Sequence, residues 1–115
     1  MSSRLRSDFF VAALLRGCAS QGASAVLRRR GSAEAGAIFV VVDNLAGGLA
    51  LYGAAPQSEM PKGGIDRQFS KLHREALIDS ATVEARLAKQ VSFDSDIWIV
   101  EIEDQLGRSF VDLAD

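Results

Sequence analysis

Three groups of side chains in this sequence could do chemistry. Arg28, Arg29 and Arg30 run directly into Gly31. Guanidinium forks match phosphate oxygens, and a glycine turn can present backbone amides to an anion. On a strand, however, Arg28 and Arg30 point one way and Arg29 the other. The three cannot grip one phosphate unless the strand ends early. The structural alternative is a charged hairpin end whose arginines pair with carboxylates such as Glu101 and Glu103 on another strand. Nucleic-acid binding would also require aromatic rings beside the arginines to stack bases, and none is adjacent.

The second group is acidic: Asp94, Asp96, Glu101 and Glu103, followed by Asp104. Oxygen-rich loops hold calcium or magnesium, but a calcium loop continues with a third ligand and a central glycine. Here Ile97-Trp98 occupies that space, so Asp94 and Asp96 read as turn residues and no metal is expected. Glu101 and Glu103 share a strand face, roughly 7 Å apart. Paired carboxylates can perform acid–base catalysis, yet strand glutamates are commonplace. The third group is Cys18 with His73, a nucleophile and base in principle. Cys18 sits on the apolar stripe of a helix, where an inert buried thiol is usual, and His73 reads as a half-exposed structural residue. Gly47-Gly48 and Gly63-Gly64 lack the following helix of a phosphate loop, so no cofactor is expected.

The scaffold for these groups is bounded by length and composition. The chain has 115 residues, 48% of them apolar and 24% charged, which fits a single domain over residues 1–115 and excludes disordered and collagen-like classes. A single Cys precludes an intramolecular disulfide and a cysteine zinc site. The longest apolar run, Phe9 to Leu15, is too short to span a bilayer. Net charge is only −2, but residues 1–33 carry +5 and the remainder −7. In so short a chain, halves of opposite sign are best read as attracting each other.

The N-terminal arginines, the apolar run and Leu15-Arg16-Gly17-Cys18 imitate a lipoprotein signal. Arg16, however, stands where a small neutral residue is needed. A helix over about 8–20, with Ser7 as its N-cap and Asp8 in its first turn, fits better, and a cytoplasmic protein is expected. Strands follow at Ser24–Arg30, Ala37–Val42 and Leu49–Tyr52, joined by short turns as an antiparallel meander. Ala37–Val42 is continuously apolar and reads as a central strand buried on both faces. Gly53 to Asp66 is a long Pro/Gly-rich loop, and 67–74 leans towards a short strand. A second helix, capped by Asp79 or Ser80, lines up Val83, Leu87 and Val91. In the last strand, Asp96–Glu103, Trp98, Val100 and Ile102 should face the core. Ile97, Ile99, Glu101 and Glu103 should face outward.

A family resemblance rests on Val26–Gly31, Glu34–Val40, Leu51–Gln57, Val83–Ala88 and, most specifically, Phe93–Asp104. These stretches resemble a family of small alphaproteobacterial proteins classed as a domain of unknown function, number 1491. One departure is Ser95, where the family pattern has Pro between Asp94 and Asp96. The resemblance implies a bacterial cytoplasmic protein of this length and supplies no activity, ligand or catalytic residue.

The expected fold is α+β: an antiparallel sheet of four to five strands with two helices packed on one face. A partly open sheet face or a sheet edge would then be the natural binding surface. The sequence favours a non-enzymatic protein-interaction or regulatory module, with an unidentified protein partner or a second copy as a homodimer. The alternative is an RNA- or nucleotide-phosphate-binding protein using Arg28, Arg29 and Arg30. A small hydrolase-like enzyme has least support, and no membrane partner is expected.

Overall fold

A computed structural model describes residues 5–56 and 67–114. Its elements are α1 (Ser7–Ser20), β1 (Ser24–Arg29), β2 (Ile38–Asp43), β3 (Leu49–Ala54), β4 (Phe69–Lys71), α2 (Ser80–Phe93) and β5 (Trp98–Glu103). The α+β class and the five strands are as expected. Most of the anticipated loop from Gly53 to Asp66 lies outside the described residues.

The five strands form one sheet in the order β1-β5-β2-β3-β4. Neighbours β2–β3, β3–β4 and β1–β5 are antiparallel, whereas β2 and β5 run parallel with Val40 opposite Val100. The sheet is therefore mixed, and the meander begins at β2 instead of β1. The last strand slides between the first two because it is apolar on both sides. Ile97, Trp98, Ile99, Val100 and Ile102 are all buried, a demand only a central position can meet.

That insertion also corrects the expected placement of the helices, which pack on opposite faces of the sheet. On one face, Val11, Leu14 and Cys18 of α1 pack with Val40, Trp98 and Val100. On the other, Val83 and Leu87 of α2 pack with Val41, Leu51, Ile97 and Ile99. Neither sheet face is left bare, contrary to the open face expected. Burying each large aliphatic side chain contributes about 1.5–3 kcal/mol, so a strand with both faces apolar gains from cover on each.

Local details follow from hydrogen-bond accounting. The Asp79 carboxylate accepts the Thr82 N–H at 2.8 Å and caps α2 as expected. Ser7 does not cap α1. It lies inside the helix, fully buried, and its hydroxyl donates to the Gly36 carbonyl at 2.6 Å. The first α1 amides instead reach the carbonyls of Glu34 and Ala33, which fasten the helix to the β1–β2 connection. That connection crosses the start of β5, where Ser32 N–H donates to the Asp96 carbonyl at 2.9 Å.

Both sheet edges are occupied or broken. Beside β4, Phe69 N–H donates to the Asp112 carbonyl and Ala114 N–H to the Phe69 carbonyl, so the C-terminal segment covers that edge. On β1, the register slips between Leu27 and Arg29, a bulge that breaks the other edge beside two arginines.

Candidate functional site

The bulge at Arg28 sends the three consecutive arginines to three destinations. Arg28 makes a two-pronged contact with Glu84 on α2, at 2.8 and 2.9 Å, and reaches Glu101 at 3.2 Å. The Glu84 hydrogen bond is the main cause that raises the Arg28 pKa and lowers that of Glu84. Arg29 donates to the Ser95 carbonyl at 2.8 Å. Arg30 lies over the Trp98 ring, 5.2 Å from its centroid. Arg28, Arg29 and Arg30 therefore do not converge on one anion position.

The acidic residues divide between the two ends of β5. Asp94 accepts the Asp96 N–H at 2.9 Å in a tight turn at its start. Glu101 and Glu103 sit further on and are joined there by Asp43. Carboxylate oxygens of Asp43, Glu101 and Glu103 lie within 4.8 Å of one another. Sequence reasoning missed Asp43, because only the parallel register places Asp43 opposite Glu103. An oxygen-only set of this kind is compatible with a hard cation or with a lysine or arginine side chain. Glu101 is already shared with Arg28, and one Asp43 oxygen accepts the Leu45 N–H. Among the described residues, Asp43 and Glu103 form no ion pair.

Cys18 and His73 have separate structural surroundings. Cys18 is fully buried on the sheet-facing side of α1, and burial pushes its thiol pKa up, the reverse of what a nucleophile needs. His73 Nε2 accepts the Leu51 N–H at 3.1 Å, so the proton must reside on Nδ1, which lies 2.9 Å from the Glu75 carbonyl. The ring is thus held neutral, its pKa lowered first by burial and further by Lys71 and Arg86. A ring that protonates less readily when folded stabilises the fold fully above the unfolded His pKa. That contribution is lost as pH falls through the folded value. The expected result is a melting temperature that drops between about pH 7.5 and about pH 5. A His73→Gln variant should show a flatter profile there, measured by thermal melts across pH, and parallel profiles would remove this role for His73.

The least anticipated feature lies at the end of the sheet where β2 and β5 finish. Three leucines stand exposed there: Leu45 at 54%, Leu77 at 46% and Leu106 at 76%. Leu45 belongs to the β2–β3 turn and has φ +63°, in the left-handed region. Asp43 Oδ1 accepts its N–H at 2.8 Å, and Asn44 Oδ1 accepts those of Ala46 and Gly48. Leu106 rides on the turn after β5. There the nearly buried Asp104 receives Arg108 through Nε and a terminal nitrogen, each at 2.9 Å. Arg108 hydrogen bonding pulls the Asp104 carboxyl down to about 2, so the pair stays charged through the usual carboxylate range. The same arginine reaches the Gln21 carbonyl at 3.2 Å and ties this turn to the end of α1.

Two clefts flank Leu106. One, of about 460 Å³, is bordered by Leu45, Ser24 and Glu103. The other, of about 320 Å³, is bordered by Leu77, Tyr52 and Ala50. In the sequence Leu45 and Leu106 are embedded in Asp-Asn-Leu-Ala-Gly-Gly and Gln-Leu-Gly, whereas Leu77 carries no such mark. A large apolar residue inside turn composition was the available signal.

Residues 5–112 match the family described as "Protein of unknown function (DUF1491)". The crystal structure of a DUF1491 family protein from Caulobacter crescentus is 33% identical, with 96% of this chain and 98% of that chain covered and a TM-score of 0.79. The solution structure of an A. tumefaciens protein is 39% identical over 97% of this chain and 96% of that one, with a TM-score of 0.80. No curated protein matches the chain. Among the described residues, no helix is long and apolar enough to cross a membrane.

Proposed function

We propose, on the premise that this chain belongs to the DUF1491 family of proteins of unknown function, that it is a protein-interaction module of the bacterial cytoplasm. The observation that carries this reading is the trio of exposed leucines at one end of the sheet, Leu45 and Leu106 on hydrogen-bonded turns and Leu77 beside them. Exposed apolar clusters on rigid supports favour association. Three of the groups that would support other functions are engaged in the fold. Arg28 is held by two carboxylates, Cys18 is buried, and the His73 ring accepts a backbone N–H. The phosphate-binding alternative has less support, because its three arginines diverge.

The test is to isolate the tagged chain from an alphaproteobacterial host at moderate salt, recording co-purifying proteins and the ratio of absorbance at the nucleic-acid and protein maxima. A protein partner at fixed stoichiometry, with little nucleic acid, is the expected outcome. Nuclease-sensitive nucleic acid that disappears in an Arg28→Ala plus Arg30→Ala variant would replace this reading with the phosphate-binding one. A lone monomer without partner would reject it.

A further inference from the structure

Resting on the interaction-module reading, we infer that the end carrying Leu45, Leu77 and Leu106 docks a protein segment presenting apolar side chains beside lysine or arginine.

Leu45 is the first argument. Among the described residues, two non-glycine residues have positive φ, Leu45 and Phe110, and only Phe110 has a packing reason for it. Phe110 packs against the α1-side core, with the Arg108 guanidinium 4.8 Å from its ring centroid. The Leu45 side chain is half exposed, at a position where a glycine would relieve the backbone. Two residues on, the same turn does place a glycine at positive φ, Gly47. A leucine kept in the left-handed region with its side chain towards solvent fits a contact made outside this chain.

Shape and charge then select the partner. The clefts beside Leu106 provide room for apolar side chains on either side of it. Glu103 borders the first cleft with the Asp43 carboxylate within 4.8 Å of its own, and neither has a cation within ion-pairing distance among the described residues. A partner ammonium or guanidinium placed there would meet close carboxylates. A second copy docked by two-fold symmetry would bring acid against acid, so the complementary occupant is a different, basic chain. Anionic lipid is disfavoured for the same reason.

The experiment uses short random peptides displayed on phage and selected against the full chain, with enriched peptides then measured by fluorescence anisotropy. Enrichment of leucine-like residues flanked by Lys or Arg is expected, with affinity falling as salt rises. Leu45→Gly and Leu106→Ser should each weaken binding by about tenfold. Leu45→Gly should at the same time keep or raise the melting temperature, which separates lost contact from lost fold. Asp43→Asn plus Glu103→Gln should weaken binding and flatten its salt dependence. Peptides lacking basic residues, peptides that bind the leucine variants as well as the parent, or no enrichment at all would each overturn the inference. If a co-purifying partner binds the parent and both leucine variants alike, the interaction-module reading stands and this docking surface falls.

Discussion

Gly31→Ala is expected to destabilise the fold by about 3 kcal/mol or more, and Gly36→Ala by a similar amount. A Cβ at Gly31 would fall on the Asp96 carbonyl oxygen and lie 2.6 Å from the Ile97 carbonyl carbon. A Cβ at Gly36 would fall on that same oxygen and lie 2.9 Å from backbone atoms of Ser32. Every atom in the way belongs to main chain, so no side chain can swing aside. The connection between β1 and β2 cannot move off either, because Ser32 N–H binds Asp96 and the Ser32 carbonyl accepts from Trp98 Nε1. Gly17 provides the control. It lies within α1 with nothing within 4 Å of its added Cβ, so Gly17→Ala should stabilise by about 0.5–1 kcal/mol. Urea denaturation of the three variants checks the contrast. Gly31→Ala within 1 kcal/mol of the parent, on the order of an ordinary surface change, would refute the crossing geometry.

The second large effect is at Trp98, which is 1% exposed at the centre of the α1-side core. Trp98→Ala should cost about 3–5 kcal/mol, the usual toll of truncating a buried aromatic ring. Trp98→Phe keeps most of the ring volume but removes the 2.7 Å hydrogen bond from Nε1 to Ser32. It should therefore cost less, about 1–2 kcal/mol, because the Ser32 carbonyl loses one donor but keeps the Gly36 N–H at 3.2 Å. The same residue reports on the fold, since it is the chain's single tryptophan. Its emission should be blue-shifted when native and move to the red across the urea transition. Comparing midpoints by circular dichroism for the parent, Trp98→Phe and Trp98→Ala gives the ranking. Equal stability of all three would mean that the ring is not a core element.

What could be read locally in the sequence agrees with the structure. The Asp79 cap and the Val83–Leu87–Val91 spacing mark α2, and the unbroken apolar run marks β2 as buried on both faces. The errors arose where position depends on residues far apart in the chain. Alternation assigned Ile97 and Ile99 of the last strand to the outside, yet both are buried under α2. Ile97–Val100 has the same unbroken apolar character as β2, and that character, more than alternation, decides the placement. With the wrong faces assigned to β5, both helices fell on one side. Ser7 has cap chemistry, but its hydroxyl is used across the fold by Gly36, which no local pattern reveals. For the arginines, strict alternation failed because the bulge at Arg28 is a property of strand pairing. The candidate site was legible only in pieces: Glu101 and Glu103 could be found, while Asp43 and the leucines needed the turns to be assembled.

The position of β5 has a consequence for how the chain acquires its shape during synthesis. β1 and β2 leave the ribosome early, but they are not neighbours in the finished sheet. Two strand spacings, about 9–10 Å, separate them, and the intervening rung is the last one translated. Until residue 103 emerges, β1 has no backbone partner and β2 lacks one of its two. The apolar undersides of α1 and α2 meanwhile have an incomplete floor. The sheet is therefore complete only once β5 is in place between β1 and β2, and a pause before that point would leave apolar surface open to chaperones and proteases.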